Sequence, residues 1–301
     1  MTMRTRRWAI VSLLMVVALT VPLATAMPVL AAAPSVSSFD WMAFSTPATS
    51  HDVPMPASVD EDDLLIVLFA HSGTGSVSVT PSTGWTQLAS DSQTGGPGGD
   101  ITLSVYYKEA VGNEDGGTVD FTTGSDAKAI AQVYRIDKDT WDVGTPPEIS
   151  VAATATTNQP DPPALDPSGW DVEDTLWIAV CAYSSYLNTS GPDDYYSPHR
   201  TSMAGSQPWM GLSSNSRENP VASEDPSYYD IETDDSYGSV AYTIGVRPAG
   251  ASPAPAPAPK AVGGEAYAVS KVGVAAPFVA LAMAIAAGGF YVLRRRAHAV
   301  K

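Results

Sequence analysis

The sequence predicts an all-β protein, an antiparallel β-sandwich or jelly roll built from two similar halves. Between residues 38 and 248 apolar residues recur with a period of two, which is typical of strands that bury one face. Turn residues separate these segments, as in Gly95-Gly96-Pro97-Gly98-Gly99, and no amphipathic helix of ten residues is evident. About eleven short strands separated by loops are expected, which favours a sandwich.

Two kinds of segment predict the strands. In 101–108 the residues alternate, so that one face should carry Ile101, Leu103, Val105 and Tyr107. Segments 63–70 and 176–182 are instead continuous apolar runs, which predict central strands covered on both sides. Residues 239–246 alternate again and should close the domain.

An internal repeat predicts the two halves. Landmarks in the first half recur about 110 residues later in the same order: Asp63-Leu64-Leu65 as Asp174-Thr175-Leu176, Thr83-Gly84-Trp85 as Asp193-Asp194-Tyr195, Asn113-Glu114-Asp115 as Ser223-Glu224-Asp225, and Tyr134 as Tyr242. Neither half has enough strands to enclose a core, so together they should form one sandwich. Two unrelated sets of hairpins are the alternative.

Residues 1–33 have the layout of a secretory signal peptide. Arg4, Arg6 and Arg7 precede an apolar run, and small residues follow it in two places. Cleavage is expected after residue 26 or after residue 33, and the sequence does not choose between them. An uncleaved N-terminal anchor is the alternative.

The C-terminal part predicts a membrane anchor. Residues 250–271 form a Pro/Ala-rich linker that suits an extended spacer, and residues 272–293 are apolar and uncharged. At about 1.5 Å per residue this segment is long enough to cross a hydrocarbon core of roughly 30 Å as a transmembrane helix. The basic tail 294–301 should remain in the cytoplasm. The sequence therefore predicts a single-pass cell-membrane protein with residues 34–249 outside, and leaves open whether a sorting enzyme removes the anchor.

Charge and cysteine content narrow the possible functions. The chain has 32 Asp and Glu against 16 Lys and Arg, a formal net charge of −16. A field of this sign repels phosphate backbones, so nucleic-acid binding is not expected. One cysteine permits neither an internal disulfide nor a zinc site built on several cysteines.

Several short motifs carry a family resemblance: Asp63–Leu65, Pro81–Thr86, Val105–Lys108, Ser223–Asp225 and Ile244–Pro248. With them, residues 58–248 resemble an uncharacterised β-sandwich module of phage virion proteins and of prokaryotic secreted and surface proteins. The resemblance implies a structural or surface module without established catalysis. The predicted membrane anchor differs from a virion setting and favours the cell surface.

Acidic residues offer two chemical hypotheses. Glu114 and Glu224 occupy equivalent repeat positions and could form the carboxylate pair of a polysaccharide hydrolase, or could simply hold turns. Loop carboxylates also suit Ca²⁺, and solvated acidic surface is the alternative. The candidate calcium ligands are Asp193, Asp194, Asp230, Glu232, Asp234 and Asp235.

Aromatic residues suggest carbohydrate binding. Stacking surfaces beside polar groups are used in sugar recognition, and Tyr106 should point outward if its strand alternates. The candidate platform comprises Tyr106, Tyr195, Tyr196 and Trp209, and Asn188 begins a possible glycosylation sequon. We therefore expect a non-enzymatic surface protein for adhesion, ligand binding (glycans among the candidates) or envelope structure, with the surface hydrolase as the alternative and no cofactor other than Ca²⁺.

Overall fold

The computed structural model describes residues 32–203, 207–233 and 235–250, and these residues form antiparallel strands with no helix among them. The strands of the first sheet are β1 (Val36–Pro54), β2 (Glu61–Ser72), β3 (Val77–Thr80), β4 (Thr86–Gln93), β5 (Ile101–Val111) and β6 (Thr118–Ile136). These six strands have the order β1-β6-β2-β5-β4, with β3 paired to β6. The all-β, antiparallel prediction is confirmed.

The second sheet also has six strands. They are β7 (Glu148–Ile149), β8 (Ala153–Thr157), β9 (Glu173–Tyr183), β11 (Tyr196–Met203), β12 (Met210–Val221) and β14 (Tyr237–Val246). Their order is β11-β12-β9-β14-β7, with β8 paired to β14. Strands β10 (Thr189–Ser190) and β13 (Asp230–Ile231) form a separate two-stranded ribbon.

Each half of the chain builds one sheet, and the two sheets have corresponding strand orders. In both, the apolar run (β2 or β9) lies between a closing strand (β6 or β14) and the strand that precedes the acidic turn (β5 or β12). The short pair β7 and β8 takes the place that β1 has beside β6. The repeat read from the sequence thus has a counterpart in the strand order.

The main core lies between the two sheets. Every second residue of each central strand points into this core, as Ile66 and Leu68 do from β2 and Ile178 and Val180 do from β9. A buried polar group also bridges the sheets, because the Gln132 side chain on β6 accepts a hydrogen bond from the Oγ of a serine in β12, Ser214, at 2.6 Å. The sheets therefore join through apolar packing and through hydrogen bonds.

The outer faces of both central strands are covered as well. On the first sheet, Val67 and Phe69 pack with Phe121 from the early part of β6 and Val77 from β3. On the second sheet a smaller cluster, which includes Ala179, Cys181, Tyr229 and Ile231, has the same role. The prediction that runs 63–70 and 176–182 are central strands covered on both sides is confirmed.

Candidate functional site

The carboxylate of Glu114 is held in a turn by a neighbouring cation. Its Oε1 lies 2.7 Å from Lys108 Nζ, and its oxygens accept hydrogen bonds from the backbone N–H groups of Val111 and Asn113. Burial raises the pKa of Glu114, but the Lys108 ammonium and these backbone donors outweigh burial and lower the pKa below its ordinary value. Glu114 is therefore an ionised group that closes the turn between β5 and β6.

Glu224 has the corresponding position after β12. Arg217 Nη2 lies 2.5 Å from Glu224 Oε1, and Asn219 Nδ2 and the Tyr195 hydroxyl donate further hydrogen bonds, each at 3.2 Å. The Arg217 guanidinium also lies over the Tyr195 ring, 5.0 Å from its centroid. Each carboxylate of the hypothetical hydrolase pair thus has its own basic partner, which fits a structural role in turns.

Two further ion pairs were not predicted from the sequence. Each joins the start of a central strand to the end of the closing strand beside it. Arg135 Nε lies 2.5 Å from Asp63 Oδ2 in the first half, and Arg247 Nη2 lies 2.6 Å from Glu173 Oε1 in the second. The signal was available, because an acid opens each apolar run and an arginine stands near the end of each closing strand. These residues stabilise equivalent corners of the two sheets.

Tyr106 is buried, and this corrects the prediction that its ring points outward into solvent. The alternation of β5 does place Tyr106 opposite Val105, but β3 covers that face, so Tyr106 is buried. Its hydroxyl donates to the carbonyl of Val77 at 2.7 Å, and burial raises the pKa of Tyr106 to about 12. Tyr106 is a core residue and does not contribute to a binding surface.

The remaining aromatic candidates do not form one platform. Tyr196 is 53% exposed and pairs with Ser216 in the middle of β12, beside the half-buried Tyr195. Trp209 immediately precedes the first residue of β12 and packs edge-to-face with Tyr186, with ring centroids 5.1 Å apart. At about 3.3 Å per residue, Tyr196 and Trp209 are separated by roughly 20 Å along the strand. Two separate aromatic patches replace the predicted single surface.

The predicted acidic ligands also separate into groups. Asp193 and Asp194 are exposed in the turn before β11, where the Asp193 backbone N–H donates to Ser227 Oγ at 2.8 Å. Asp235 is exposed, and Asp234 lies outside the described residues. Among the described residues, no three His, Cys, Asp or Glu side chains lie close enough together to hold a metal ion.

Asp230 and Glu232 instead line an open cavity of about 420 Å³, together with Asn158, Ile231 and Thr233. The Asn158 amide donates to the Thr233 carbonyl at 2.9 Å, and the Glu232 backbone N–H donates to the Asn188 carbonyl at 3.0 Å. The exposed sequon residue Asn188 therefore lies beside this cavity. Carboxylates, an amide and a hydroxyl are groups that can form hydrogen bonds with a ligand rich in hydroxyls.

The environment of Cys181 does not favour a role as a nucleophile. The Cys181 side chain is fully buried on the outer face of β9, and burial raises the pKa of its thiol far above the ordinary value. Since the thiolate is the reactive form, this residue behaves as a small apolar side chain.

Comparison with known proteins adds no relative, since no family model, no curated protein and no solved structure matches the chain. Within the described residues, no helix has the length and apolar character needed to cross a bilayer. The predicted span 272–293 lies outside them, as do the tail 294–301, residues 251–271 of the linker and residues 1–31 of the leader.

Proposed function

We propose that the chain is an exported, single-pass membrane protein that presents an acidic β-sandwich-like domain at the cell surface. The leader 1–33, the linker 250–271 and the span 272–293 support export and anchoring by their composition. The resemblance to surface and virion modules supports the same role. The domain serves adhesion, ligand binding or envelope structure, and glycans or other envelope components are its partners.

The observation that carries the non-enzymatic proposal is the pairing of both repeat carboxylates with basic side chains. Glu114 is bound to Lys108 and Glu224 to Arg217. A glycosidase needs two carboxyl groups about 5–10 Å apart beside the scissile bond, one of them protonated at the start of the reaction. The Lys108 ammonium opposes protonation of Glu114, since it lowers the pKa of that carboxyl. The surface hydrolase is therefore the less favoured function.

The cavity lined by Asn158, Asp230 and Glu232 supports ligand binding. It combines charged acceptors with an amide and lies on an exposed part of the second half. A glycan hydroxyl would donate hydrogen bonds to Asp230 and Glu232, and a Ca²⁺ ion could bridge the same carboxylates and the ligand.

The test uses the full chain displayed on cells and, after detergent extraction, on a glycan array with and without Ca²⁺. We expect binding that falls in the Asp230→Asn and Glu232→Gln variants and persists in Asp166→Asn, a matched exposed aspartate outside the cavity. Binding to no glycan would remove the carbohydrate proposal and leave an envelope role. Release of sugar reducing ends that disappears in Glu224→Gln would overturn the non-enzymatic proposal.

A further inference from the structure

The outer face of the first sheet has a cover made of three strand segments. Residues 50–54 of β1 pair with residues 118–122 of β6, and β3 pairs with the same part of β6. These segments, called the cover below, lie over β2, where Phe121 of the cover stacks on Phe69 with ring centroids 4.9 Å apart. The apolar cluster beneath the cover shares no residue with the main core between the sheets. Opening of the cover would therefore leave the main core packed.

Two fully buried histidines lie beneath the cover. His51 belongs to the cover and is 0% exposed, and His71 belongs to β2 and is 2% exposed. Both rings lie beside the ring of Phe69, with centroid distances of 5.6 Å and 6.2 Å. Since the charge of histidine changes between pH 5 and 8, each of the two surfaces that pack together here carries a titratable group.

Neither ring can take a second proton without cost. His71 Nδ1 donates to the Ser72 carbonyl at 3.0 Å, and His51 Nε2 lies 3.5 Å from Thr123 Oγ1. The other ring nitrogens, His71 Nε2 and His51 Nδ1, are buried without a hydrogen-bond partner among the described residues. A ring protonated only on its bonded nitrogen leaves a lone pair at that position. A second proton would create a buried donor and a buried charge that have no hydrogen-bond acceptor.

The charged groups that face the two rings come from β6. Asp120 lies beside His51, and its Oδ1 accepts a hydrogen bond from the backbone N–H of His51 at 3.1 Å. On the other side, the backbone N–H of Lys128 donates to Ser72 Oγ at 3.0 Å, and Lys128 Nζ donates to the Pro208 carbonyl at 3.4 Å. One acid is thus placed to favour a charged ring, and it lies beside His51.

The balance of these surroundings favours neutral rings. Burial lowers the pKa of His51, repulsion from His71 lowers it further, and the Asp120 carboxylate raises it in part. Burial also lowers the pKa of His71, against the opposing effect of the Ser72 and Gly75 carbonyls. The closed form therefore binds fewer protons than a form in which both rings meet water.

The strands that carry the cover are irregular next to both histidines. The pairing of β1 with β6 shifts register on both sides of Ala48, and β6 is exposed at residues 124–126. The connection from β2 to β3 contains Gly73 and Gly75, where an added Cβ would meet no atom within 4 Å. Irregular pairing and open glycine positions allow local movement of the cover at this junction.

We propose that His51 and His71 make the cover an acid-sensitive lid, which is closed over Phe69 and Phe121 at neutral pH and opens more often at mildly acidic pH. When the cover opens, both rings meet water and each can take up a proton, so acidification favours the open form. The open form exposes aromatic rings that the closed form hides. This property belongs to the domain itself and does not depend on the proposed surface role.

The size of the effect follows from the ordinary histidine pKa. In water a ring with a pKa of about 6.5 is roughly 10% protonated at pH 7.5 and roughly 90% protonated at pH 5.5. If the rings of the closed form stay neutral, the ratio of open to closed form rises about tenfold per histidine between these pH values, and about 100-fold for the pair. Ordinary carboxylates, with pKa values near 4, remain mostly ionised over this range.

The test is hydrogen–deuterium exchange of the full chain, followed by mass spectrometry at pH 7.5 and 5.5 and corrected for intrinsic exchange rates. We expect the protection of cover peptides to fall by up to about 100-fold at pH 5.5, while peptides from β9 and β12 keep their protection. Unchanged protection in the cover would overturn the proposal. An equal fall in β9 and β12 would also overturn it, because the whole domain would then be unfolding.

Three matched variants separate the two histidines from other groups. Gln cannot be protonated, so His51→Gln and His71→Gln should each make the pH-dependent fall about tenfold smaller. His199→Gln is the control, since His199 is a partly buried histidine that stacks on Phe39 and does not belong to the cover. It should keep the full fall. An undiminished fall in both His51→Gln and His71→Gln would contradict the proposal, and the wild-type exchange pattern decides the question if a variant does not fold.

Discussion

Glu224→Gln tests whether the acidic turn after β12 is structural. The substitution keeps the shape of the side chain but removes its charge, so the Arg217 guanidinium loses its ionic partner. The Gln amide also presents N–H donors to Asn219 and Arg217, which are donors themselves. We expect a clear loss of stability, since Glu224 has hydrogen bonds to three side chains.

The magnitude follows from the burial of the pair. Breaking a fully buried ion pair by removing one partner costs about 3–5 kcal/mol. The Glu224 side chain is 1% exposed but that of Arg217 is 20% exposed, so water compensates in part. We therefore expect a loss of about 2–3 kcal/mol. For a domain of this size each kcal/mol lowers the Tm by about 2–4 °C, which gives a decrease of roughly 4–12 °C.

The assay is thermal unfolding followed by circular dichroism, with Glu218→Gln as the control. Glu218 is an exposed glutamate on the same strand, so its substitution should change stability by less than about 0.5 kcal/mol. The double variant Glu224→Gln/Arg217→Met should recover part of the loss, because it leaves no unpaired cation. Equal Tm values for the wild type and Glu224→Gln would refute a structural role for this turn.

Two further predictions concern packing and pH. Gly98→Ala should destabilise the domain by about 2 kcal/mol or more, because an added Cβ would lie 1.5 Å from the Ser184 carbonyl oxygen. Gly75→Ala serves as the control, since a Cβ added there meets no atom within 4 Å. Equal stability of the two variants would contradict the close approach at Gly98. Burial lowers the pKa of His51 and His71 below 6.5 in the folded state, so the unfolded chain binds more protons and the free energy of unfolding should fall as the pH drops below about 6.5. Urea titrations at pH 7.5 and 5.5 measure this slope, which the double variant His51→Leu/His71→Leu should flatten; a slope unchanged in that variant would show that other groups cause it.

The fold class could be predicted because strand periodicity is a local property. The alternation at 101–108 and the runs at 63–70 and 176–182 each indicate which faces are apolar, and the structure buries those faces. The repeat was detectable because equivalent turns keep their spacing. The prediction for Tyr106 was wrong because the period of β5 shows which side of the sheet the ring occupies, but not that β3 covers that side.

The candidate binding cavity is formed by contacts between segments that are far apart in the sequence, so the spacing of residues along the chain could not predict it. Asn158, Asn188 and Asp230 belong to separate segments and meet only because β13 pairs with β10 and lies beside the chain near residue 158. In the same way, Tyr196 and Trp209 are close in sequence, but Tyr196 pairs with the middle of β12 and Trp209 precedes its first residue, roughly 20 Å away along the strand. Proximity in sequence therefore gave the wrong grouping for the aromatic residues.

By itself the sequence determined the all-β class, the position of the central strands and the acidic character of the chain, because these follow from side-chain hydropathy and charge. Only the tertiary structure decided which acids have basic partners and which aromatic rings are exposed. Those properties depend on which segments are in contact in the folded domain. The free energy of the whole fold determines these contacts between distant parts of the chain.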